Sequence, residues 1–204
     1  MKKMRFSATS LLLAVLIWCH PGLSAEIEAI TIKWIAQECT DACIQNLAQR
    51  FLSIPGTAEL LMNGGQGQAV IRWKPYAPFS FDSINSAMRL AGPRIKDIRF
   101  KVRGTVIGSG GNYVLRSLGD NTQFVLLGPV QPSTTQYVQQ YSMESHPLSA
   151  ESLQRFYDAQ RNNVVVTIEG PLYEPTRLLG SSLYLIVESA AFARLGAGAI
   201  PGSP

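Results

Sequence analysis

Residues 27–52 read IEAITIKWIAQECTDACIQNLAQRFL, and the change of period inside this stretch decides the fold. Ile27, Ile30, Ile32 and Trp34 belong to an alternating run rich in β-branched residues, which predicts a strand over 27–35. From Asp41 the apolar residues Cys43, Ile44, Leu47, Ala48, Phe51 and Leu52 recur at helical spacing, with Gln45, Asn46, Gln49 and Arg50 between them. Thr40 or Asp41 is suited to cap that helix, because either side chain accepts from an early helical N–H. Pro55-Gly56 ends it. At the strand–helix junction stand Cys39 and Cys43, which can hold a soft metal ion, exchange electrons or close a disulfide.

Working outward, Ala58–Met62 reads as a short strand, Asn63-Gly64-Gly65 as a hairpin turn, and Ala69–Lys74 as the returning strand. Ser80 or Asp82 caps a second helix bearing Ile84, Ala87, Met88 and Ala91 on one face, stopped by Gly92-Pro93. A long strand follows from Ile95 to Val106. The order β-α-β-β-α-β suits a four-stranded antiparallel sheet with both helices on one face, the ferredoxin-like arrangement. The second half reads as a meander over 98–107, 113–118 and 124–127, then a polar loop over 129–145 and a helix over 148–160. Strands at 164–169 and 183–187 complete it. Three strands, a helix and two strands is the order of a small five-stranded barrel, the OB-fold.

The N-terminus reads as an export signal. Lys2, Lys3 and Arg5 precede the apolar run Leu11–Trp18, and Pro21-Gly22 and the small Ser24-Ala25 follow. The expected cut near Ala25 removes Cys19, leaving Cys39 and Cys43 as the cysteines of an exported chain. It also removes three of the 18 basic residues and none of the 14 acidic ones, so a net charge of +4 falls to +1. That balance leaves no electrostatic footprint for nucleic acid. No later stretch reaches the roughly 20 apolar residues needed to span a bilayer, so no transmembrane segment is expected in the mature chain. The expected location is periplasmic or secreted, an oxidising setting in which a disulfide competes with metal binding. The expected layout is a signal peptide over 1–25, a ferredoxin-like domain over 26–98, an OB-like barrel over 99–190 and a flexible tail over 191–204.

A thiol in the first turn of a helix faces partly positive N–H groups, which favours thiolate. Two soft sulfurs select Cu(I) or a similarly thiophilic ion, and two ligands are too few for a closed four-ligand zinc site. A fully helical Cys-x3-Cys pair holds its Cβ atoms too far apart for a disulfide, but Cys39 in a loop is free to swing inward. Elsewhere, His146 with Met143 three residues before it reads as a solvated loop histidine. Glu38 and Asp41 read as solvated loop and cap residues, and Trp34 and Trp73 as core. Of the aromatics Tyr113, Phe124, Tyr157, Tyr173 and Tyr184, the barrel core is the default place. No Ser/His/Asp set is present, so an enzyme is not expected.

The stretch from Ile27 to Val102 resembles heavy-metal-associated domains, the fold of copper chaperones and of the periplasmic mercury-scavenging protein. The resemblance rests on the cysteine loop after the first strand, the thirteen residues from Cys43 to Gly56, the turn Gly64-Gly65-Gln66-Gly67, and Ala91-Gly92 after the second helix. The family's loop is Met-x-Cys-x-x-Cys, whereas this chain has Cys-x3-Cys with Gln37 two residues before Cys39. The resemblance implies an exported α+β protein that binds or transfers a Cu(I)- or Hg(II)-like ion through Cys39 and Cys43. The alternative expectation is a non-catalytic adaptor that meets a protein partner in the cell envelope, with a structural cysteine pair.

Overall fold

The computed structural model describes residues 26–129, 146–174 and 182–193. The expected signal peptide and most of the polar loop over 129–145 lie outside the described residues. The elements, in chain order, are β1 (Ile27–Trp34), α1 (Asp41–Ser53), β2 (Thr57–Asn63), β3 (Gln68–Trp73), α2 (Phe81–Ala91) and β4 (Ile95–Ser109). They continue with β5 (Asn112–Ser117), β6 (Gln123–Leu127), α3 (Ala150–Arg161), β7 (Val165–Pro171), β8 (Leu183–Ile186) and β9 (Ser189–Ala193). The chain is α+β, with three helices and one nine-stranded sheet among the described residues.

Local chemistry sets the helix starts. Thr40 Oγ1 accepts from the N–H of Cys43, Ser80 Oγ from that of Ser83, and Ser149 Oγ from that of Ser152. Each satisfies an N–H that the first helical turn leaves without a partner. The turn between β2 and β3 is a short 3-10 turn over Gly64–Gln66 closed by Gly67 at φ 62°. Glycine is required at 67 on two counts: the positive φ, and a Cβ there would stand 2.6 Å from the carbonyl oxygen of Trp34.

The strands of the first half lie in the order β2-β3-β1-β4, every pair antiparallel. Ile30 faces Ile71 on one side and Phe100 on the other, and Ile32 faces Ala69 and Ile98. This register puts Ile30, Ile32, Trp34, Ile71, Trp73, Ile98 and Phe100 on one buried face. Leu47 and Phe51 of α1 and Ile84 and Met88 of α2 are buried in the same core. Full burial of such side chains stabilises by about 1.5–3 kcal/mol each before the entropy of ordering them.

β4 is 15 residues long and serves both halves. Residues 95–102 pair with β1, residues 104–109 pair with β5, and β7 pairs with 99–105 on the opposite edge. β5 pairs with β6, and β6 with β8 in parallel. A bridge between Leu172 and Leu185 brings the chain after β7 back to β8. The strands β4-β5-β6-β8-β7 therefore close into a ring around Val106, Tyr113, Leu115, Phe124, Leu126, Ile168 and Leu185, all buried. The boundary expected between residues 98 and 99 falls inside β4. An aromatic series crosses it: Trp73, Phe79, Phe100 and Phe124 stand with successive ring centroids 5.3, 5.3 and 5.5 Å apart.

Ala191–Ala193, expected as part of a flexible tail, instead lie in β9, which pairs antiparallel with β7. The β7 ladder orders this strand, and Phe192 anchors it on Phe156, with ring centroids 6.0 Å apart. Residues 194–204 lie outside the described residues.

Candidate functional site: the Cys39–Cys43 loop

β1 ends where the Trp34 N–H donates to Gly67 O at 2.8 Å, and the next N–H, that of Ile35, donates to Arg94 O at 3.2 Å. The chain then makes one 3-10 turn over Ala36–Glu38 and leaves it at Cys39, whose backbone is extended (φ −121°, ψ 104°). Thr40 caps α1, and Cys43 lies on its first turn, half-buried. The extended conformation at Cys39 turns its side chain in toward the helix. Cys39 is 8% exposed, and its Cα lies 5.2 Å from that of Cys43. That separation falls within the range a disulfide spans, about 4.4–6.8 Å, and the two cysteines are joined as a disulfide.

Glu38 is not a free loop carboxylate. It accepts from the Arg94 backbone N–H at 3.0 Å, from Nε at 2.7 Å, and from a terminal guanidinium nitrogen. The hydrogen bonds from the Arg94 side chain, with its backbone N–H and positive charge, hold the Glu38 carboxyl below its ordinary range. Glu38 in turn raises the guanidinium of Arg94. The segment between β1 and α1 is thus tied to the start of β4 by Ile35 and Glu38, and to α1 by the disulfide. Arg94 was not singled out from the sequence, since 56 residues separate it from Glu38. Only a fold that lays β4 beside β1 makes them neighbours. Asp41 lies exposed in the first turn of α1, where a negative charge favours the helix.

The structure therefore brings together both residues expected to bind metal, with their sulfurs bonded to each other. In this state neither sulfur is a thiolate. Binding of a soft metal ion by both sulfurs needs the bond opened first by two electrons and two protons from a reductant, whereas in thiol–disulfide exchange the closed bond is itself the group that an incoming thiolate attacks. Among the described residues, no group of three or more His, Cys, Asp or Glu side chains is arranged to hold a metal ion.

His146, expected to be solvated, is 3% exposed. Its Nδ1 lies 3.0 Å from Gly128 O, and its backbone carbonyl accepts from the Gly128 N–H at 2.8 Å. Its ring stands edge-on to Tyr173 at 5.1 Å. It clamps the two chain ends that flank residues 129–145, a packing role that a lone histidine in a polar stretch does not announce. Met143 lies outside the described residues.

The second half presents a different surface. Register places Ile107, Val114, Val125 and Tyr184 side by side across β4, β5, β6 and β8, on the side opposite the buried core. Ile107 is exposed and the other three are half-buried. Thr105, Arg116 and Gln123 form the adjoining polar row. Tyr113, Phe124 and Tyr173 take the core places expected of them, while Tyr157 is exposed. A pocket of about 260 Å³ beside α3 is lined by Arg155, Asp158, Asn162, Val164 and Phe192, with the Arg155 guanidinium 4.4 Å from the Phe192 ring centroid.

Among the described residues no helix is long and apolar enough to cross a membrane. The chain matches no protein-family model, no curated protein and no solved structure.

Proposed function

We propose that this chain is an exported, non-enzymatic interaction protein of the cell envelope, periplasmic or secreted, whose cysteine pair is a structural staple. The observation that carries the reading is the closed Cys39–Cys43 bond, which commits both sulfurs to holding the β1–α1 segment against the first turn of α1. The shared strand β4 supports it, because a single strand running through both halves suits a rigid adaptor. The outward row Ile107–Val114–Val125–Tyr184 is the surface offered to a protein partner. The sheet order β2-β3-β1-β4 with two crossover helices supports naming the first half ferredoxin-like. The ring β4-β5-β6-β8-β7, with α3 lying in the chain between β6 and β7, supports naming the second half OB-like.

The test combines thiol counting with in-cell photocrosslinking from the Val114 position. The expected result is no free thiol in protein taken from the oxidising compartment. It also includes a discrete crosslinked adduct that persists in the Cys39→Ser/Cys43→Ser protein. Two reactive thiols, or an adduct that disappears with the cysteines, overturns the staple reading.

A second reading is favoured by one observation: reduction would leave two sulfurs side by side at the N-terminus of α1. In that state Cys39 and Cys43 supply a two-coordinate site for Cu(I) or a similarly thiophilic ion, in keeping with the resemblance to heavy-metal-associated domains. Titration of the reduced protein with Cu(I), beside a Cys43→Ser variant, decides it. Equal weak binding by both ends the metal reading.

A further inference from the structure

We infer that two copies of this chain pair antiparallel through the outer edge of β2, extending the sheet across a twofold axis. Among the described residues β2 pairs only with β3, so its other edge presents a row of backbone N–H and C=O groups that can template another strand. Protein edges are usually guarded by lysine, proline or charge on the strand, and β2 lacks both lysine and proline. Its single charge, Glu59, is already paired within the chain, with Arg72 Nε 3.2 Å from Glu59 Oε2. The edge also carries apolar surface. Leu61 is 53% exposed and sits beside half-buried Val70.

The occupant is a second copy because the strand is complementary to itself in one register. An irregularity between Thr57 and Glu59 leaves Glu59–Asn63 as the regular part of the strand, with Leu61 at its centre. Opposed residues in an antiparallel pair project to the same face. A twofold axis at Leu61 therefore sets Leu61 of one copy against Leu61 of the other, and Leu60 against Met62. It sets the one carboxylate, Glu59, against the neutral amide Asn63, so like charges never meet. Moving the axis one residue to Leu60 sets Glu59 against Leu61 and loses this match. Pairing through this edge is independent of the state of Cys39 and Cys43, which lie at the β1–α1 junction.

Sedimentation of the intact exported protein over a concentration series tests it, together with crosslinking of single-cysteine variants under mild oxidant. The expected result is a reversible dimer. Leu61→Cys closes a covalent dimer with itself, because directly opposed Cβ atoms stand about 4.5–5.5 Å apart. Glu59→Cys alone does not close, whereas Glu59→Cys mixed with Asn63→Cys does. Leu61→Lys raises the dimer dissociation constant about a hundredfold, from two lost leucine contacts and two opposed ammonium groups. At concentrations where both proteins are monomeric its unfolding transition stays unchanged, which shows that the variant is folded. A wild-type protein that sediments as a monomer throughout overturns the inference. So does a dimer unaffected by Leu61→Lys, or self-crosslinking of Glu59→Cys as efficient as that of Leu61→Cys.

Discussion

The two halves of this molecule use the same strand in opposite ways. For residues 95–102, β4 is a strand in a sheet whose buried face is closed by α1 and α2. For residues 99–109 it is a wall of a ring that closes on itself through β8 and β7. The first half is sealed by side chains reaching down from helices, so among the described residues its sheet keeps an open edge at β2. The second half is sealed by backbone pairing around its ring, so it depends on strands approaching closely. The lesson is that capacity for contact sits in different places: at a backbone edge in one half, and on an outward side-chain row in the other.

Substitution at Gly170 breaks the comparison most severely. A Cβ there would stand 1.8 Å from the carbonyl oxygen of Ile186, a backbone atom that cannot swing aside. Gly170→Val is expected to open the ring, with loss of the cooperative unfolding transition followed by circular dichroism. If the ring were an appendage, the first half would retain its own sharp transition.

Phe100→Ala is next. Phe100 is 1% exposed and touches both Phe79 and Phe124, so it belongs to both cores. A loss of about 3–5 kcal/mol is expected, read by chemical denaturation. Amide exchange should accelerate equally in β3 and β6. Acceleration confined to one of them would show that the halves unfold separately.

Replacing Cys43 by serine sharpens the comparison, because its effect is confined to the first half. Opening a loop this short costs about 2 kcal/mol in the chain-entropy picture. Amide exchange should rise in the first turn of α1 and leave β7 and β9 unchanged. An equal rise in the ring would refute the local-staple reading.

The smallest expected effect is acid-dependent. Glu38 has its folded-state pKa lowered by Arg94, so its contribution is present above the ordinary glutamate value of 4.5 and fades as pH falls through the folded value. Acidification below that range should free residues 36–38 from β4, seen as faster exchange there. Arg94→Ala should show the same exchange at neutral pH. Both groups lie at the surface, so added salt should shrink the difference.

Much of the first half was legible because its signals are local. A period change at Cys39–Asp41, caps at Thr40 and Ser80, and stops at Pro55-Gly56 and Gly92-Pro93 each act within a few residues. The meander β4-β5-β6 was legible for the same reason. The parallel pairing of β6 with β8 was not, since Phe124 and Leu183 meet only when α3 and β7 have been placed between them. Nor was β9, whose Ser-Ala-Ala-Phe-Ala composition carries no strand signature of its own. At the candidate site the sequence placed both cysteines at the loop–helix junction but left metal, disulfide and free thiols open. The extended backbone at Cys39 and the Glu38–Arg94 clasp bring the sulfurs into bonding range.

By itself, then, the sequence determined the kind and order of the elements through β6, the helix caps and the placing of Cys39 and Cys43, because periodicity and capping are short-range. Tertiary structure decided that one strand serves two halves, that His146 is buried rather than solvated, that Glu38 belongs to Arg94, and that among the described residues β2 keeps an open edge. Each of these depends on which distant backbones lie side by side. That is settled only when the apolar faces of the whole chain are buried together.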